Sequence, residues 1–206
     1  EVIAKIAAIG SVQKSSGAAI KAAEDAYNSL NAEQKKLVTN YKVLTEARAA
    51  YEMLASVPKK GSKHTVGKYR YQVTKSAAKG GTVQLLNPVR KTMKKAAIPA
   101  KIQLNDYTYE VTSIAAKAFQ KNKKLTAVTI EKNVREIGKQ TFAGCSKLKS
   151  ITIKTTKLKK NSIGKNALKG IKKNATIRVP KKKFAQYKKL FNTRIGYRRT
   201  MKLRKG

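Results

Sequence analysis

The sequence predicts an α+β protein: a small all-α helical module followed by a short, capped solenoid with one β-strand and one turn or short helix per unit. Three observations carry this. Residues 1–56 hold 7 Lys+Arg and 6 Asp+Glu, whereas the remainder holds 41 and 4. Apolar residues recur every three or four positions before Val57 and alternate after it. Between Val111 and Ile153, five apolar positions repeat at a single offset of 23 residues.

The first helical stripe is Ile3, Ile6 and Ile9, ended by Gly10. Ser15-Ser16 is read as an N-cap for a helix carrying Ile20, Ala23, Tyr27 and Leu30. Asn31-Ala32-Glu33-Gln34 has the form of a capping box, and Leu37 and Val38 are placed on the short helix it opens. A last helix carries Leu44, Ala47, Tyr51 and Leu54. Each helix has one apolar face, so the segment is expected to be a bundle of three or four short helices, with Tyr27, Tyr41 and Tyr51 in its core. Val57-Pro58-Lys59-Lys60-Gly61-Ser62-Lys63 combines Pro, Gly, Ser and charge, so residues 57–65 are read as a linker.

The second domain, 66–206, divides into an N-terminal β cap (66–110), repeats (111–180) and a C-terminal cap (181–206). Tyr69, Tyr71 and Val73 alternate with polar residues, and Val83-Gln84-Leu85 follows a Gly80-Gly81 turn. Asn105-Asp106 is read as a hairpin turn between Ile102–Leu104 and Tyr107–Val111. Ile114, Phe119, Leu125, Val128 and Ile130 then recur as Ile137, Phe142, Leu148, Ile151 and Ile153. A third copy follows at offset 26 with Ile163, Leu168, Ile177 and Val179, its extra residues assigned to Thr155–Lys160. No unit of this kind buries its apolar face alone, so neighbouring units must stack. Cys145 is read as a small buried hydrophobe. After Pro180, Phe184, Tyr187, Leu190 and Phe191 fall at helical spacing, and Arg199–Leu203 are expected to add a last strand.

The segments VTSIAAKAFQKNKKLTAVTIEKN and VREIGKQTFAGCSKLKSITI resemble the BspA-type (Treponema-type) leucine-rich repeats of cell-surface proteins. That pattern runs Ile-Gly-x-x-Ala-Phe, then Cys or Asn, then Leu-x-x-Ile-x-Ile. The first copy has Ala115 at the Gly position, the second has Thr141 at the Ala position, and the third has Leu168 for Phe. LNAEQKKLVTNYKVL is similar to small helical modules appended to bacterial surface proteins. The resemblance implies a secreted or wall-associated protein of a Gram-positive bacterium with a role in adhesion or protein binding.

Composition narrows function. The 206 residues carry 48 Lys+Arg against 10 Asp+Glu, a net +38 that attracts polyanions. One Cys excludes an internal disulfide. No apolar run approaches the roughly 20 residues needed to span a bilayer. The chain opens at Glu1 without Met and is read as a piece of something longer, its signal peptide lying outside it. His64, the single His, falls in the linker, so a Ser-His-Asp arrangement is not expected. The segment GSKHTVGKY has five residues between its glycines and Tyr69 where a phosphate loop needs Ser or Thr. No metal-ligand spacing occurs. No catalytic residue, metal or cofactor is assigned.

Basic residues are 39 Lys and 9 Arg, without the Arg forks or motifs of sequence-specific nucleic-acid readers. Nucleic acid is therefore expected to bind only non-specifically, through charge. Many lysines, such as Lys121, Lys123, Lys124, Lys147 and Lys149, fall in repeat turns and face solvent. Two candidate sites follow. One is the outward strand face: Ala127, Ser150 and Thr176; Thr129, Thr152 and Arg178; Glu131 and Lys154. The other is a polyanion patch of Lys181, Lys182, Lys183, Lys188, Lys189, Arg198, Arg199, Lys202 and Arg204. The expected function is non-catalytic binding or adhesion at the cell surface, to a protein, a glycan or an anionic wall polymer, without membrane insertion. The alternative is a spacer or wall-retention module of a larger secreted protein.

Overall fold

The computed structural model describes residues 1–206 and divides the chain into two compact units, Glu1–Val57 and Pro58–Gly206. The first unit holds four helices: α1 (Val2–Ala7), α2 (Gly17–Asn28), α3 (Ala32–Lys36) and α4 (Tyr41–Ser56). Ile6, Ile9, Ile20, Ala23, Leu44 and Ala47 form its core. Gly17 leaves room for a neighbour: a Cβ there would lie 2.4 Å from the Tyr51 hydroxyl. Arg48 on α4 holds the Glu24 carboxylate of α2 through Nε and Nη2, and this hydrogen-bonded pair keeps Glu24 below the usual carboxylate range.

The capping box forms as predicted. Gln34 N donates to Asn31 Oδ1 at 2.9 Å, and Asn31 N donates to Gln34 Oε1 at 3.0 Å. Three local expectations are corrected. Ser16 precedes α2 but already has helical backbone angles, and its hydroxyl accepts from Gln13 N behind it instead of capping the helix. Tyr41 is 40% exposed and stacks on Tyr27 at 4.0 Å, so it covers the core from outside. Leu37 follows the end of α3 and is 73% exposed.

The second unit contains β1 (Lys63–Val66), β2 (Tyr69–Lys75), β3 (Gly81–Pro88), β4 (Lys95–Ile98), β5 (Lys101–Leu104), β6 (Tyr107–Ile114), β7 (Ala127–Ile130), β8 (Glu136–Ile137), β9 (Ser150–Ile153) and β10 (Thr176–Val179). A short helix α5 (Phe184–Lys188) and a last strand β11 (Lys202–Lys205) complete it. One sheet runs β1-β2-β3-β6-β5, with β8 also paired to β6; the other runs β4-β7-β9-β10-β11, every pair parallel. β5 and β6 are antiparallel around Asn105-Asp106, as the turn residues predict.

The solenoid follows from this pairing. In one sheet Leu85 lies beside Ile114, Ile114 beside Ile137, and Ile137 beside Ile163. In the other, Ile98, Ile130 and Ile153 line up, as do Ala96, Val128, Ile151 and Ile177. These side chains are buried between the sheets. The turns joining the sheets also stack: Phe119 N donates to Thr141 O, Phe142 N to Ala167 O, and Leu168 N to Ile195 O. The Phe119 and Phe142 rings stack at 5.4 Å. Lys117, Gln140 and Asn166 share left-handed φ values of 60°, 55° and 59°, so the turn geometry persists in the copy where Leu168 replaces Phe.

The departures from the repeat pattern have local causes. A Cβ on Gly138 would lie 2.4 Å from Ala116 N, and one on Gly164 2.4 Å from Lys139 N, because the preceding repeat turn is directly beneath each. Ala115 opens the first repeat and sits instead over the end of β3, donating its N–H to Leu85 O. Thr141 is fully buried, and its hydroxyl donates to Gly138 O at 2.8 Å. Asn122 and Cys145 occupy one position and do one job: Nδ2 donates to Met93 O and Sγ to Phe119 O, each tying its turn to the one before.

The extra residues of the third copy form a loop closed by the C-terminal cap. The buried Tyr187 hydroxyl accepts from Leu158 N at 3.1 Å and donates to Thr155 O at 2.8 Å. α5 follows a 3-10 turn at Lys181–Lys183 and ends at Lys188, so the helix read from Phe184 to Phe191 is cut short. The linker reading of 57–65 is also corrected: Lys63–Val66 pair with Tyr69–Gln72. β4 escapes sequence reading because it is short and half alanine.

Candidate functional site

The all-parallel sheet presents two rows of outward side chains. Register places Lys95, Ala127, Ser150, Thr176 and Lys202 side by side, and likewise Ala97, Thr129, Thr152, Arg178 and Arg204. The six predicted positions at the centre of these rows are therefore neighbours. Lys95 and Ala97 were missed at one end; their signal is the alternation of Lys95-Ala96-Ala97-Ile98, with Ala96 and Ile98 buried. Arg178 Nη1 reaches Ser150 Oγ at 3.4 Å. Glu131 and Lys154 pair at 2.8 Å where their strands exit the sheet, so that part of the face is locally neutral.

Small side chains at the centre leave the face flat, and its N-terminal end is hollowed. A groove of about 550 Å³ runs between the β1–β2 hairpin and the sheet, with Val66, Tyr69, Ala97, Pro99, Ile102 and Thr129 in its wall. Tyr69 is buried, and its hydroxyl is pushed above the ordinary tyrosine range by desolvation.

The predicted polyanion patch is divided. Lys181, Lys182, Lys183, Lys188 and Lys189 lie on the cap beyond the exit of β10. Arg198 and Arg199 lie on the turn that enters β11. Lys202 and Arg204 belong to the strand rows, where Arg204 sits beside Arg178. Four-residue strands separate entry from exit by about 13 Å at about 3.3 Å per residue.

Titratable groups elsewhere are arranged for packing. His64 Nε2 lies 2.8 Å from Ser62 Oγ, but that hydroxyl gives its proton to Lys59 O at 2.6 Å. The imidazole thus donates to the serine, the wrong polarity for activating a nucleophile. Cys145 is fully buried, and burial raises its thiol to about 11. No three His, Cys, Asp or Glu side chains converge. No helix is long and apolar enough to cross a membrane.

The family model of the BspA type leucine rich repeat region matches residues 100–196 in six copies. Residues 100–196 are a BspA-type leucine-rich-repeat region. The Ile-Gly, Asn/Cys and inward Ile/Val positions described above are that repeat's structural elements in this chain. Among solved structures, a leucine rich cell surface protein from Faecalibacterium prausnitzii is 24% identical, covering 60% of this chain and 38% of that one with a TM-score of 0.45. A leucine-rich repeat protein from Bacteroides capillosus is 26% identical over 57% of this chain and 72% of that one, TM-score 0.38. Another from Bacteroides ovatus is 29% identical over 57% and 31%, TM-score 0.39. The match thus spans little more than a third of the F. prausnitzii protein. No curated protein matches the chain.

Proposed function

We propose that the chain is a non-catalytic binding protein of the bacterial cell surface, secreted or wall-associated, whose leucine-rich-repeat scaffold presents a basic face to a protein, a glycan or an anionic wall polymer. The observation that carries this reading is the pair of outward rows on the parallel sheet. They offer Ser, Thr and Ala at the centre and Lys95, Arg178, Lys202 and Arg204 towards the ends. Short side chains admit close approach along the whole face, and the flanking charges draw an acidic partner to it. The face lacks Trp, and its one Arg pair, Arg178 and Arg204, stands at its end and not at its centre, so contact through it is weak for each site and gains from charge and repetition.

The reading is tested by binding the whole chain to Gram-positive sacculi, with and without their anionic polymers, alongside duplex DNA, from ~50 to ~300 mM salt. Retention on polymer-bearing wall at the upper end, with loss from DNA, supports it. Thr129→Glu/Thr152→Glu should weaken retention several-fold if the strand face makes the contact. Equal loss from every surface as salt rises overturns the assignment of a wall partner.

A further inference from the structure

The lysines of the repeat turns are not scattered over the surface. Parallel pairing of β7, β9, β10 and β11 sets the turns that enter these strands side by side. Those turns carry Lys123 and Lys124; Lys147 and Lys149; Lys172 and Lys173; Arg198 and Arg199. All eight side chains are exposed. The turns are also hydrogen-bonded to each other: Lys149 N donates to Thr126 O, Lys172 N to Leu148 O, and Thr200 Oγ1 to Lys173 O.

Neighbouring strands are about 4.8 Å apart, so the four turns form a band about 14 Å long with one cation for every ~2 Å. The single ion pair of this unit, Lys154–Glu131, lies at the opposite end of the strands. The remaining acids are no closer by sequence: Asp106 is in the β5–β6 turn, Glu110 on β6, and Glu136 on β8 in the other sheet. Eight like charges held in register repel one another, and a polyanion lying along the band relieves that repulsion while releasing the counter-ions that otherwise screen it.

We propose that this strand-entry edge is a docking track for an extended polymer with closely spaced phosphate or sulfate groups, lying across the strands along the solenoid axis. The proposal rests on the binding-protein reading above and adds the partner's chemistry and position. Parallel register sets the turns one after another along the solenoid axis, which suits an extended chain. Its cations are mostly Lys, which binds oxyanions as a point charge and needs no planar, bidentate geometry in its partner, so rows of closely spaced phosphate or sulfate groups suit it. The ring beside the band, Tyr197, packs edge-on against Phe191 and donates its hydroxyl to Met201 O. It is not a platform for bases, so a polymer without bases is the better fit.

The test compares the whole chain with two triple variants of equal charge: K124Q/K147Q/K173Q on the track and K181Q/K182Q/K188Q on the cap. Affinity for inorganic polyphosphate and for a heparin fragment is measured against salt; polyglutamate and oligo-dT serve as carboxylate and base-bearing comparisons. Phosphate and sulfate sources are distinguished by which of the first two polymers binds more tightly. Loss of three contacts should lower the log–log salt slope by about 2, at ~0.7 per contact for a single strand. The cap variant should lose less than half of that. Equal slope losses in the two variants overturn the track and leave the general binding reading standing. Polyglutamate or oligo-dT binding as tightly as both oxyanion polymers overturns the chemistry assigned. Absence of binding to all four at ~150 mM salt overturns the track and leaves a protein partner on the strand face as the general reading.

Discussion

Replacing Tyr187 by Phe removes one oxygen from the interior of the C-terminal cap and leaves the ring in place. That oxygen serves two backbone groups of the inserted loop, accepting from Leu158 N at 3.1 Å and donating to Thr155 O at 2.8 Å. Thr155, Leu158 and Tyr187 are all fully buried, so water has no direct access to the orphaned groups. Each unsatisfied buried group costs about 1–3 kcal/mol, giving roughly 2–5 kcal/mol for the pair. For a unit of this size about 1 kcal/mol moves the midpoint by ~2–4 °C, so Tyr187→Phe should lower it by roughly 5–15 °C. Differential scanning calorimetry of the whole chain measures the shift. Tyr197→Phe is the internal comparison, because its half-buried hydroxyl makes one hydrogen bond, to Met201 O at 3.0 Å, and should cost only about 0.5–1 kcal/mol. A Tyr187→Phe loss no larger than that of Tyr197→Phe would refute the claim that the cap ties down the loop.

Three further outcomes are expected. Gly138→Ala and Gly164→Ala each place a methyl against the backbone of the preceding turn and should cost about 2–3 kcal/mol in chemical denaturation, whereas Ala115→Gly should cost under ~1 kcal/mol. Phe142→Ala opens a cavity beneath the stacked Phe119 ring and should cost about 3–5 kcal/mol by the same assay; Phe142→Leu, the residue type at 168, should recover more than half. The third concerns pH. The Cys145 thiol is raised by burial to about 11 from 9.0, so its contribution is fully present below pH 9 and lost as pH rises towards 11. From pH 8 to 10 the wild type should therefore lose about 1 kcal/mol more stability than Cys145→Ser, and Ellman's reagent should label Cys145 only on unfolding.

Reading the sequence worked best where one residue's environment is set by its own short segment. Asn31 and Gln34 close a capping box within four positions, and Asn105-Asp106 turns a hairpin alone. The inward Val128/Ile130 and Ile151/Ile153 pairs are visible because a strand with one buried face alternates. Failures occurred where a contact that the pattern does not show decides the outcome. Ser16 has the composition of a cap, but its hydroxyl is taken by Gln13 N, three residues behind it. Tyr41 falls at helical spacing, but it stacks on Tyr27 from outside the core. Leu190 and Phe191 extend a helical pattern past Lys188, where α5 ends. Lys95 and Ala97 complete the candidate face only because β4 pairs with β7, about thirty residues away.

By itself the sequence determined that units of 23 residues repeat, which side chains face inward, and that nearly all net charge lies after residue 57. These are consequences of local periodicity and composition, which need no knowledge of neighbours. The tertiary structure decided the rest: why Gly138 and Gly164 cannot carry a Cβ, what Tyr187 holds, and which of forty-one cations stand in line. The physical reason is register. Parallel ladders and stacked turns bring residues 23 to 32 positions apart to within one strand spacing, and that alignment is created by hydrogen bonds between units rather than within them.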